Sequence, residues 1–181
     1  LTNVRAPKVA RARRLLKRGF RESDGLFLAE GPQACREAAV AGKVKELFLT
    51  QEAFDRYPEI VTTVADSGAE ITVCTEAVIE QFSSTVSPQG MTAVVQMWDQ
   101  NPSELFKPGT KLVVALTAVR DPGNAGSVIR VADAAGAHGV VMSSDSVDLF
   151  NPKVVRASVG SIFHLPIAVG QELDRTIVAA R

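Results

Sequence analysis

The stretch KLVVALTAVRDPGNAGSVIRVADAAGAHGVVMS, from Lys111 to Ser143, constrains this chain more than any other part of it. The segment KLVVALT is apolar on both faces, as a strand buried inside a parallel sheet must be. A Pro-Gly-Asn-Ala-Gly turn follows. A helix over about residues 125–135 comes next, stopped by Gly136, and then the second strand GVVMS. Such a strand–turn–helix–strand unit leaves one fold class open, an α/β sheet whose ligands collect at the carboxyl ends of its strands.

The turn itself admits two chemistries. A dinucleotide-binding loop needs Gly-x-Gly-x-x-Gly and an acidic residue about 20 positions on. Asp145 stands in about the right place, but Gly123 and Gly126 have the wrong spacing, and Arg130 lies where close helix–strand packing wants a small residue. That makes a nicotinamide-type oxidoreductase a distant alternative. In the other chemistry Asn124 and Arg130 are functional. Asn124 is well placed to cap the helix, which alone would account for it. Gly126 lets another backbone or a ligand approach closely. Arg130 either pairs with Asp133 at i+3 or faces a ligand at the sheet edge.

Charge decides what kind of ligand to expect. The chain has 20 basic and 20 acidic residues, yet eight of the basic ones (Arg5, Lys8, Arg11, Arg13, Arg14, Lys17, Arg18, Arg21) lie in the first 21 positions with no acid among them. The other 160 residues therefore hold 12 basic and 20 acidic side chains. Pro7 suits a helix start. Val9, Ala12, Leu16 and Phe20 then share one helical stripe, while Arg11, Arg14, Arg18 and Arg21 share another. A docked amphipathic helix with a row of outward guanidinium groups is expected, fit either for solvent or for the phosphates of a polyanion.

Between this helix and the glycine turn, strand and helix patterns alternate. GLFLAEG, VKELFLT, EITVCT and TAVVQMW read as strands, with helices over GPQACREAAVAG, over residues 52–66 and near residues 76–83. This predicts a small α/β domain over 1–98 with Trp98 in its core, a Pro-containing linker over 99–110, and a second domain over 111–181. In the second domain a further βα repeat runs through NPKVVRASVGSIF, the strand LPIAV and a helix over QELDRTIVAA. Three parallel strands ending on a helix make an incomplete sheet, so a missing C-terminal part is expected. No apolar run reaches the 18–20 residues of a membrane span, and Cys35 and Cys74 lack metal-ligand spacing, which together favour a cytoplasmic protein without a metal. His138 and His164 read as packing or surface residues.

DPGNAGSVIRVADAAGAHGVV resembles the first signature of the SpoU (TrmH-type) RNA 2′-O-ribose methyltransferases of the SPOUT superfamily, an Asn-x-Gly-x-x-x-Arg after a strand. SVDLFNPKVVRASVGSIFHLPI resembles the segment that follows it. FLAEGPQACREAAVAGKVKELFLT, with SPQGM further on, is similar to the small substrate-binding domain found ahead of it. The resemblance implies S-adenosylmethionine as methyl donor, RNA as partner (ribosomal or transfer RNA, the former slightly favoured), a homodimer, and a C-terminal trefoil knot around the cofactor. It places Asn124 and Arg130 at the catalytic centre with Arg156 nearby. It leaves RNA contact to Arg5, Lys8, Arg11, Arg14, Arg18, Arg21 and Arg156. The cofactor-loop segments, Gly-Asn-Glu-x-x-Gly-like and Ser-Leu-Asn-x-Ser-like, are absent from these residues. The resulting expectation is a recognition domain followed by part of a SPOUT domain without its knot. An RNA-binding module without catalysis is the second reading.

Overall fold

The structure is a computed structural model, and it describes residues 1–85, 87–98 and 102–172, with the side chains of residues 103 and 104 excepted. It divides into two compact units, one over Leu1–Met97 and one from Trp98 onward.

The first unit is built on a four-stranded mixed sheet in the order β1-β4-β2-β3, formed by Leu26–Glu30, Met91–Gln96, Val44–Leu49 and Glu70–Val73. β4 runs antiparallel to both its neighbours, and β2 and β3 are parallel. Strand alternation explains the layers. Leu28, Phe48 and Val94 point to one face, where they pack with Val9, Ala12 and Leu15, with Val78 and Ile79 of α6 (Glu76–Ile79), and with Phe82. Phe27, Ala29, Leu47, Ala93 and Val95 are fully buried at the alternate positions. There α3 (Pro32–Val40) lies close, and the Cys35 thiol donates to the Ala29 carbonyl at 3.4 Å.

The N-terminal helix differs from the continuous amphipathic rod expected. It breaks into α1 (Pro7–Arg14) and α2 (Arg18–Asp24), with Lys17 extended between them. A helix end leaves carbonyls without intrahelical donors. Arg21 turns inward to supply them, its Nη1 donating to Leu15 O and Leu16 O at 2.9 Å each. Arg21 is thus 2% exposed and Phe20 41% exposed, the reverse of their expected places. The helix expected over 52–66 is likewise two, α4 (Gln51–Arg56) and α5 (Pro58–Asp66), because Pro58 has no N–H to continue the first.

The 83–85 loop is fastened to this sheet by Glu30, at the end of β1. Its carboxylate accepts from Ser83 Oγ, from Thr85 Oγ1 at 2.7 Å, and from Ser84 N and Oγ at 3.1 and 3.2 Å. Burial alone would raise this carboxyl, but these donors outweigh it and hold Glu30 below the ordinary glutamate value.

In the second unit β5 (Val113–Leu116), β6 (Gly139–Ser143) and β7 (Ile167–Gln171) are parallel, in that order. Helix α7 (Pro122–Ala134) joins the first two, and α8 (Pro152–Ala157) packs along α7. Leu105 seats against Val141 and Ala168. Trp98, expected in the core at the end of its strand, is partly buried beyond β4 and packs against Phe150 and Phe163 at 5.2 and 5.6 Å. The helix expected over residues 171–180 and the trefoil knot fall outside the described residues, except that Gln171 closes β7.

Candidate functional site

Helix α7 presents the two residues singled out by the turn, and its start differs from the expected one. The cap is Asp121, whose Oδ1 accepts from the Asn124 backbone N–H at 2.7 Å, with Pro122 in the first helical turn. Proline at the first helical position makes the residue before it the cap. The Asn124 side chain is therefore released from capping and is exposed.

Ala125, Gly126, Ile129 and Ala132 form the buried side of α7. At Gly126 the close neighbour is protein backbone. A Cβ there would stand 2.6 Å from both Ala157 Cβ and Val154 O. Opposite this face, Asn124, Ser127, Arg130 and Val131 are exposed. Asn124 and Arg130, six residues apart, are separated by about 9 Å along the axis and about a third of a turn around it. They share a helix but not a face.

Arg130 borders an open hollow of about 280 Å³ together with Asp133, Ala134, Val159 and Ser161. Of the two alternatives for Arg130, the pair with Asp133 is not formed. Asp133 Oδ2 instead meets His164 Nδ1 at 2.8 Å, so the sequence-adjacent acid is engaged elsewhere. Arg130 makes no hydrogen bond or ion pair with the described residues. Val159, a β-branched residue, has φ +51°, a conformation that costs such side chains about 1–3 kcal/mol. With Gly160 at φ +94° it turns the chain after α8 so that Val159 and Ser161 both reach the hollow. Arg156 lies on α8, partly buried and engaged, and does not line the hollow.

Asp145 braces the strand ends. Its Oδ1 accepts from Ser143 Oγ at 2.5 Å, and that oxygen accepts from Ala118 N at 2.9 Å. The Ser143 hydroxyl, more than the charge of Arg120, holds the Asp145 carboxyl below its ordinary value. An acid so occupied lends the dinucleotide reading nothing.

The basic residues of the first unit divide sharply. Lys8 Nζ sits between Glu46 and Glu70 at 2.7 and 2.6 Å and donates to Thr72 at 2.6 Å. Burial would lower its ammonium, but hydrogen bonds to both glutamates leave it above its ordinary value. Arg14 pairs with Asp24 at 2.6 Å and covers the Phe20 ring at 5.3 Å, and Arg18 pairs with Glu22 at 2.7 Å. Arg21, expected to face RNA, is buried as a structural donor. Arg5 and Arg11 remain exposed, with no side-chain partner among the described residues. Sequence reading passed over Val159, Ser161 and the Asp133–His164 contact. The last joins residues 31 positions apart and carries no local signal.

Comparison with known proteins places this geometry. Residues 111–181 match the SpoU rRNA Methylase family, and residues 6–93 match the MRM3-like substrate binding domain. A solved rRNA methyltransferase from Sinorhizobium meliloti, with AdoMet bound, superimposes with a TM-score of 0.87 at 30% identity, over 99% of this chain and 68% of that one. The chain belongs to the SpoU rRNA methylase family. Among curated relatives of this family member, the 23S rRNA (guanosine(2553)-2′-O)-methyltransferase RlmP of Bacillus subtilis is 33% identical over 92% of this chain. The chain spans 63% of that relative. The SpoU methyltransferase AviRb of Streptomyces viridochromogenes, solved in complex with AdoMet, matches at 28% identity with a TM-score of 0.81, over 96% of this chain and 66% of that one. The parallel sheet of the second unit is thus a SPOUT-type sheet. No described helix is long and apolar enough to cross a membrane, and no metal-binding cluster of His, Cys, Asp or Glu occurs among the described residues.

Proposed function

We propose that the protein containing this chain transfers a methyl group from S-adenosylmethionine to a ribose 2′-hydroxyl of ribosomal RNA. The observation that carries this reading is an exposed, unpartnered Arg130 on the helix of the family signature, with the nearest acid held by His164. Arginine is protonated at all working pH values, so Arg130 is assigned to stabilising the developing alkoxide or the adjoining phosphate, and not to proton removal. Asn124, on a different face of α7 from Arg130, is assigned to orienting the hydroxyl. The hollow is lined by Arg130, Asp133, Ala134, Val159 and Ser161, and with Asp133 engaged by His164 the guanidinium is left for a ribose phosphate. S-adenosylmethionine supplies an already electrophilic methyl, which calls for no metal.

RNA is held in this reading by Arg5 and Arg11 directly. Lys8, Arg14 and Arg18 lend charge while remaining paired, and Arg156 serves from α8. Homodimer formation is supported by Val131 and Val159, 65% and 44% exposed beside Arg130. A cytoplasmic location accords with two free, buried cysteines. The test is to map ribose methylation in ribosomal RNA from cells with and without the gene, by resistance to alkaline hydrolysis. One position that loses protection on deletion supports the reading, and an unchanged ribosomal RNA map overturns it.

A further inference from the structure

The strand β2 carries an irregularity that the methyltransferase reading leaves unused. Val44 pairs with Val95 on β4 and Glu46 with Val94, so Lys45 is an extra residue with no partner opposite it. In an unbroken strand successive side chains take opposite faces. Glu46 faces α1, as its contact with Lys8 shows, and Lys45 would then face away. The bulge cancels that alternation. Lys45 and Glu46 both line one hollow of about 400 Å³, together with Lys8, Arg11 and Arg14 of α1 and with Leu15, Leu26 and Val94 among its apolar residues.

The ionic groups of this hollow sort themselves by contact. Glu46 and Glu70 are taken by Lys8, and Asp24 by Arg14. Two cations remain with no side-chain partner among the described residues, Arg11 and Lys45, both exposed. They come from different elements, α1 and β2, and line the same space. Bulges are over-represented where a strand must re-aim one side chain towards a site. A backbone phosphate set between an arginine fork and a lysine ammonium satisfies both cations, and the apolar residues beneath them support the adjoining sugar.

We infer that this hollow is a phosphate-binding subsite for the RNA backbone, with Lys45 as its principal new ligand beside Arg11. The inference rests on the RNA reading above and adds to it the face of the first unit that RNA meets. It also explains the paired cations of α1. Lys8 and Arg14 offset two of the three carboxylate charges, and Arg11 and Lys45 turn the balance of the hollow positive.

The experiment is a fluorescence-anisotropy titration of a labelled ribosomal RNA hairpin with the full enzyme carrying this chain over a range of salt concentrations. The variants are Lys45→Gln, Lys45→Arg, Arg11→Gln and the Lys45→Gln/Arg11→Gln double, each first checked for an unchanged melting curve. Loss of one phosphate contact lowers the slope of log K against log salt by about one. Lys45→Gln is expected to bind several-fold more weakly with that loss of slope, Lys45→Arg to restore both, and the double variant to lose about two units. A parent chain that binds the hairpin, with Lys45→Gln matching it in affinity and slope, overturns the subsite while leaving the RNA reading intact. A parent chain that binds no RNA overturns the RNA reading, and the subsite falls with it.

Discussion

Arg21 of the first unit and Arg130 of the second are alike in the sequence, each an arginine on an amphipathic helix with a case for facing outward. Arg21 is buried, and its guanidinium closes the carbonyl end of α1 at Leu15 and Leu16. Arg130 is exposed, and the acid three residues on is engaged by His164. The first unit consumes most of its charge internally, pairing Lys8, Arg14 and Arg18 and fastening a loop to Glu30. The second leaves its signature residues uncommitted. Charge engaged in structure and charge left available are different quantities, and only the structure separates them.

The contrast breaks most severely at Gly126. Gly126→Val puts a branched side chain where even a Cβ would overlap α8, and about 3 kcal/mol or more of destabilisation is expected. A variant that melts like the parent would show that α7 and α8 are not tightly packed. Arg21→Ala comes next. It leaves two inward carbonyls without a donor, at about 2–3 kcal/mol, while Arg5→Ala should leave the denaturation midpoint unmoved. Equal midpoints for the two variants would erase the distinction between engaged and available arginines.

Glu30→Gln tests the loop clamp at about 1–2 kcal/mol at neutral pH. Because the folded-state carboxyl lies below its ordinary value, its contribution is full above the ordinary glutamate value and is lost as pH falls through the lowered one. The parent and Glu30→Gln should therefore converge in stability in acid. A constant gap down to the lowest pH would contradict the clamp. Smallest is His164→Ala, expected to change stability by less than about 1 kcal/mol because the pair is exposed. It frees Asp133 to pair with Arg130, so methyl transfer should slow a few-fold. Restoration of the rate by His164→Ala/Asp133→Asn would confirm that route, and an unaltered rate in the single variant would dismiss it.

Much of the fold follows from local patterns. Gly136 marks the end of α7 because it acts within a few residues, but two expectations fail nearby: the Pro-Gly-Asn-Ala-Gly segment is the first turn of α7 itself, and β5, at the end of the described strand order, is buried fully only at Leu116 with Ala115 exposed. Asp121 as the cap was also legible, since Pro122 directly follows it; Asn124 competed as an equally good capping type three positions later. The break between α1 and α2 was not legible. Periodicity over residues 9–20 fits one rod, and the chain departs from it where Lys17 is extended and a buried arginine can repay the broken ladder. The bulge at Lys45 has no residue signature, because register between β2 and β4 is set by packing of strands far apart in sequence. The Asp133–His164 contact was hidden for the same reason.

The central claim is that Arg130 acts on the reacting ribose and does not hold the RNA. The direct measurement is transfer of labelled methyl from S-adenosylmethionine to ribosomal RNA by the full enzyme carrying this chain, with the parent and Arg130→Ala compared at saturating RNA and RNA affinity measured beside it. A role in the reaction predicts a kcat lower by about 10²–10³ with affinity within twofold. A kcat equal to that of the parent, or a loss explained entirely by weaker RNA binding, would contradict it.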